Sequence, residues 1–185
     1  MIPKDHIYTY SGVSFSPLSP CMEDISPLDI AHALSYMCRA NGHFKSFYSV
    51  AQHCLQCEEE ARLRGLSEKT RLACLLHDAS EAFISDITRP VKRTLSQYKE
   101  IEERLQRVIY RRFGIDPDDR ELISAVSEID DAMLYYEFLE LGGLALFDKA
   151  PKIISQPDFG FQPFEQTEKR FLTVLSELYI TEEHI

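Results

Sequence analysis

The 185-residue chain has no tryptophan, no long apolar run, and 20 Lys and Arg against 30 Asp and Glu. Without about 18 consecutive apolar residues there is no segment suited to cross a bilayer. The start, Met1-Ile2-Pro3-Lys4-Asp5-His6, lacks the charged-then-apolar pattern of a secretory signal, so a cytosolic location is expected. A formal net charge of -10 repels nucleic-acid polymers and leaves no polybasic strip for a membrane surface. A small phosphorylated ligand is compatible with that charge only if a metal or a few basic residues make a local positive pocket. The five cysteines, Cys21, Cys38, Cys54, Cys57 and Cys74, are odd in number and largely within helical patterns, which predicts free thiols. Cys54-Leu55-Gln56-Cys57 is a lone CxxC inside a helix, better read as packing than as zinc or redox chemistry.

What is present is helical periodicity in a chain of one-domain length, without internal repeats or low-complexity segments. Ile7 to Phe15 holds two short β-prone pieces around Gly12 and predicts a small N-terminal hairpin. Ser26-Pro27 opens a helix to about Arg39, broken by Asn41-Gly42-His43. A second helix is expected from Phe47 to Arg64, and a third from Ser67 into His77-Asp78. After a turn with a short basic piece, Ile87 to Arg93, come helices from about Gln97 to Phe113 and from Asp116-Pro117 onward. A Pro-rich loop and an amphipathic helix from about Gln166 to Tyr179 close the chain. The fold expected is all-α, a bundle of five to six main helices with the hairpin in front. It forms a single domain over 1–185, its core at about 26–141 and a C-terminal loop and helix at 142–185.

The densest chemistry lies in Cys74 to Asp86, where an apolar run delivers His77, Asp78, Glu81 and Asp86. Burying such groups is costly unless they meet a metal, a substrate or one another. Two other helices each turn a polar side chain toward an apolar face: His53 in the second, and Asp130, four residues after Val126 and three before Met133. Two imidazoles and two carboxylates form a mixed N/O set for a divalent transition metal with positions left open. Taken singly, each has an ordinary reading as a hydrogen-bonded or solvated residue. Glu81, three residues beyond Asp78, is placed to orient or deprotonate a water at such a site.

The set His53, His77-Asp78 and Asp130, in that order and spacing, resembles the HD-superfamily phosphohydrolases. It is most similar to the 5'-deoxynucleotidase-like branch and its phage and prophage members, some of which act on dATP. The matching text is Phe47 to His53, His77 to Ala82 with Asp86, Pro90-Val91-Lys92, and Asp130 with Glu137 seven residues later. The resemblance implies an HD-type bundle in which His53, His77, Asp78 and Asp130 hold the metal and Glu81 orients the attacking water. Asp86 would lie near the sugar or leaving oxygen, and Arg39 and Lys92 would bind phosphate. The metal would be Co, Mn, Zn, Fe or Ni, and a second ion, Mg, is allowed with the substrate phosphates. The resemblance also implies a homo-oligomer.

Three departures shape the reading. The lysine that many relatives carry three residues before the last ligand is Ser127 here, which weakens a triphosphate clamp. The aromatic that follows the arginine in some nucleotidases is Ala40, so stacking falls to His43, Phe44, Phe47 or Tyr48, with Phe44 and Tyr48 taken as substrate-binding. The Gly-Lys of the cyclic-dinucleotide branch is absent, since Ala79-Ser80-Glu81 follows the His-Asp pair. The function expected is metal-dependent release of phosphate from deoxynucleoside 5'-monophosphates. The alternatives are a deoxynucleoside triphosphate triphosphohydrolase and a nucleotide sensor without turnover.

Overall fold

The computed structural model describes residues 3–179. Its architecture is all-α with an N-terminal hairpin. Strands β1 (Ile7–Tyr8) and β2 (Ser14–Phe15) pair antiparallel, Ile7 opposite Phe15. Gly12 turns the chain at a φ of +88°, which a side chain would resist. The helices are α1 (Pro27–Tyr36), α2 (Val50–Leu63), α3 (Glu68–Leu76), the single turns α4 (Glu81–Ile84) and α5 (Arg89–Lys92), α6 (Ser96–Arg112), α7 (Arg120–Glu137) and α8 (Phe164–Leu178). Six of these are more than one turn long, as the periodicity predicts. No helix among the described residues is long and apolar enough to cross a membrane. All five cysteines are free thiols.

Local chemistry sets the helix starts. The side chains of Ser26, Ser49, Ser67 and Asp119 each accept a backbone N–H in the first turn of α1, α2, α3 and α7. Ser49 and Gln52 form a reciprocal capping box. α1 ends at Tyr36, earlier than expected, because Met37 turns extended and Cys38 pairs with Ser49. Arg39 N–H donates to the Tyr48 carbonyl (2.8 Å) and Val50 N–H to that of Met37 (3.0 Å). Arg39 therefore sits at the neck of a loop whose tip, Ala40-Asn41, has left-handed backbone angles.

α2 is the central helix and packs on α3, α7, α1 and α8. It is buried almost all round, from Val50 to Glu58. Its polar residues are satisfied by the Pro-rich loop that wraps it. Gln52 donates to the Gly160 carbonyl (3.0 Å) and Gln56 to that of Asp158 (3.3 Å), while Glu60 accepts the N–H groups of Ile154 and Ser155. The long loop is thus held to the core by side chains that would otherwise be orphaned there. α8 covers the opposite side, with Phe171 and Leu175 buried against α1 and α3.

Candidate functional site

Three helices deliver four donors to one point. His53 comes from the first turns of α2, His77 and Asp78 from the turn that ends α3, and Asp130 from the middle of α7. His53 Nε2 lies 3.1 Å from His77 Nε2, 3.1 Å from Asp130 Oδ1 and 3.7 Å from Asp78 Oδ2. His77 Nε2 lies 3.4 Å from Asp78 Oδ2 and 3.7 Å from Asp130 Oδ1. Ligand atoms about 2.0–2.2 Å from a shared ion stand about 3.0–3.5 Å from one another. The donor set therefore has the dimensions of a coordination shell.

Hydrogen bonding on the far side of each ring settles what faces inward. His53 Nδ1–H donates to Glu137 Oε1 (2.5 Å) and His77 Nδ1–H to the Cys74 carbonyl (2.8 Å). In the neutral rings both Nε2 lone pairs then point at the same place as two carboxylate oxygens, with no proton donor of their own between them. A divalent cation would fit such a point, in place of the protons that the two imidazoles otherwise share with the carboxylates.

His53, Cys57 and His77 also lie close enough together to hold a metal ion. The Cys57 Sγ is 3.6 Å from His53 Nε2 but also 4.0 Å from Nδ1, so it sits beside the ring. A sulfur sharing an ion with Nε2 would stand roughly 5 Å or more from Nδ1. The carboxylates are the better-aimed partners of the two imidazoles.

The titration pattern reflects the same crowding. Burial, and at His53 also Arg39, works against a charged ring; Cys57, Glu137 and Asp130 at His53, and Asp78, Cys54 and Asp130 at His77, outweigh it. Both imidazoles end well above their usual range. Burial would raise Asp130, yet hydrogen bonds from and the charges of His53 and His77 hold it well below the ordinary carboxylate range. Asp78 is likewise lowered against burial, by His77, Arg39 and His53. Glu81 goes the other way: burial, Asp78 and Asp86 push it well above the usual range despite Arg39 and Lys92.

The four donors open on a cavity of about 740 Å³. Its polar end is lined by Arg39, Asp78, Glu81, Asp86, Arg89, Lys92, Asp130 and Glu137, and its apolar part by Phe44, Ile87, Leu134, Phe138, Leu146 and Phe147. Five carboxyl groups face three cationic side chains there. Each cation is paired. Arg39 donates to Asp78 Oδ2 (3.2 Å) and Glu137 Oε2 (3.3 Å), Lys92 Nζ to Glu102 (2.6 Å), and Arg89 to Asp130 Oδ2 (3.2 Å) and Asp131 Oδ1 (3.1 Å). Glu81 is 3% exposed, with Oε1 3.7 Å from Lys92 Nζ, and its Oε2 has no hydrogen-bond partner among the described residues.

Of the residues singled out from the sequence, His53, His77, Asp78 and Asp130 converge, and Glu81, Asp86, Arg39, Lys92 and Phe44 line the same cavity. Tyr48 does not. It is 1% exposed and packs its ring edge-on to Phe159, because the strand-like pairing of residues 38 and 49 turns it under the wrapping loop. His43 reaches the cavity, whereas His32 stacks on Tyr10 and pairs with Glu168 elsewhere. Ser127 is exposed and lies outside the cavity lining. Glu137, noted in the sequence for its spacing of seven from Asp130 but given no role there, supports two site residues at once. Arg89, Phe138 and Phe147 carry no sequence signal, since their approach depends on loop paths.

No family model matches the chain. The chain is 38% identical over 136 residues to the Escherichia coli (strain K12) protein YfdR, covering 74% of this chain and 72% of that one. It is 35% identical over 154 residues to RCAP_rcc00048 of Rhodobacter capsulatus, covering 80% and 78%. The chain belongs to the YfdR family. Neither relative's name states an activity, so the chemistry of this YfdR-family member has to be argued from its own site.

Proposed function

We propose that this YfdR-family protein is a metal-dependent phosphohydrolase of small deoxynucleotides, with release of orthophosphate from 5'-monophosphates as the leading reaction. One observation carries the reading: two imidazole Nε2 atoms and two carboxylate oxygens meet at 3.1–3.7 Å, the dimensions of a coordination shell. His53, His77, Asp78 and Asp130 would hold a divalent transition metal, Mn, Co, Zn, Fe or Ni. Such an ion supplies Lewis acidity to a phosphate and makes a water more acidic.

The chain's own residues supply the rest. Glu81 has a free, buried oxygen and a raised proton affinity, which suit it to take the proton of the attacking water and return it to the leaving sugar oxygen. Asp86 lies on the same wall, near that leaving group. Arg39 and Lys92 keep donors for phosphate oxygens beyond those used in their ion pairs. Phe44, Phe138 and Phe147 offer an apolar seat for a base. The pairing of all three cations supports a short phosphate over a triphosphate, which would need more free positive charge or its own Mg. A cytosolic setting and homo-oligomeric assembly accompany the reading.

The test is purified protein with Mn²⁺ or Co²⁺ on a panel of deoxynucleoside mono- and triphosphates. Orthophosphate from the monophosphates is expected, and Asp78→Ala should lose both metal and activity while its circular dichroism stays helical. Tripolyphosphate from the triphosphates would reassign the protein to triphosphate hydrolysis. Stoichiometric metal with no product from any substrate would leave a sensor and sink the enzyme.

A further inference from the structure

Arg89 stands where a cation is not favoured by its own helix. It opens the single turn α5, at the end where the helix dipole disfavours positive charge, and a turn this short has little stability of its own. The segment leading into it leaves α4 through Ser85, whose φ of +72° is strained for a non-glycine residue, with Ser85's carbonyl held by the Tyr98 hydroxyl (2.6 Å). The Asp86–Lys92 wall is thus kept in place by tertiary contacts, and the Arg89 guanidinium makes the contact to α7. It spans two adjacent carboxylates, Asp130 Oδ2 at 3.2 Å and Asp131 Oδ1 at 3.1 Å.

The division of Asp130 is the informative part. Its Oδ2 faces Arg89, while its Oδ1 faces the two imidazoles at 3.1 and 3.7 Å. A carboxylate has one soft torsion, and holding one oxygen fixes the other. The Asp130 side chain is 24% exposed, so without that hold its Oδ2 faces water and the imidazoles at Oδ1 are left to aim it against that pull. We infer that Arg89 is a positioning residue that keeps Asp130 aimed at the metal point and fastens the cavity wall to α7. The inference rests on the metal-site reading proposed above. Arg89's charge by itself would oppose a divalent ion, but half of the side chain is in solvent, where screening weakens that repulsion. Orientation is the larger effect.

The experiment is Mn²⁺ titration of the full chain followed by electron paramagnetic resonance, with amide exchange over residues 86–92 measured in parallel. Arg89→Ala should weaken Mn²⁺ binding about 10–100-fold, the range for loss of a group that orients a ligand. Asp131→Asn should weaken it less. Arg89→Lys should recover only part, because an ammonium cannot span both carboxylates as the guanidinium fork does. Arg89→Ala binding within twofold of wild type, or tighter, overturns the inference. Faster exchange in the wall with unchanged Mn²⁺ affinity would reduce Arg89 to a fastener and also overturns it. A wild-type chain that binds no Mn²⁺ at all overturns the metal site itself, a failure visible before any variant is made.

Discussion

At the scale of single residues, Glu81 is the group whose environment is least favourable and most informative. An acid buried beside Asp78 and Asp86, with one oxygen unpartnered, is raised well above its usual pKa. The folded chain then holds a proton that the unfolded chain releases above about pH 4.3, so stability falls as pH rises from there toward the folded pKa. Glu81→Gln should therefore make the metal-free protein more stable near neutral pH, by about 1 kcal/mol or more, with the gain fading toward about pH 4. Thermal melts at the two pH values check this, and phosphate release should be lost in the same variant. The imidazoles carry a second prediction. His53 and His77 bind protons well above the usual range in the metal-free chain, so an ion must displace them. Metal affinity should tighten as pH rises between about 6 and 8, by up to about tenfold per unit for each proton released. A Kd that does not change over that range would contradict the inward-facing Nε2 atoms.

At the scale of elements, the site's legibility divides by how each residue reaches it. His53 and Asp130 could be read because helical period sets them beside apolar faces, and the adjacent His77-Asp78 pair because the whole set, in its order and spacing, resembles the HD-superfamily phosphohydrolases. The hairpin and the six longer helices followed from caps and periodicity, with ends shifted by a few residues. Arg39 was expected near the end of a helix and lies instead in a loop neck, because pairing between residues 38 and 49 is a long-range event that no local signal announces. Tyr48 failed to reach the cavity through the same pairing. α2 shows the limit from the other side. Its Gln52, Gln56 and Glu60 look like a solvated face, yet they are buried, and only the path of residues 154–160 explains them. Of the cavity's aromatic part only Phe44 could be read from the sequence, since Phe138 and Phe147 arrive with the π-turn at Phe138–Gly142 and the loop beyond it.

At the scale of the molecule, the frame and the site occupy different parts of one core. The cavity is lined from the 39–44 loop, the segment from Asp78 to Lys92, α7 and the residues just after it; no lining residue comes from α8. α8 nevertheless buries Phe171 completely, against helices that carry the ligands. Phe171→Ala should cost about 3–5 kcal/mol through lost burial and the cavity left behind. For a chain of this length that is a fall of roughly 6–20 °C in melting temperature. Total stabilities of about 5–15 kcal/mol leave half or more of the variant folded at room temperature. In that folded fraction, Mn²⁺ affinity should stay within about twofold of wild type, because the His53, His77, Asp78 and Asp130 geometry is set by α2, α3 and α7 and by the hydrogen bonds of Glu137 and the Cys74 carbonyl. A parallel loss of metal affinity and stability would instead mean that close packing transmits strain across α3 from the α8 side to the donor atoms, and that the site is only as rigid as the whole bundle.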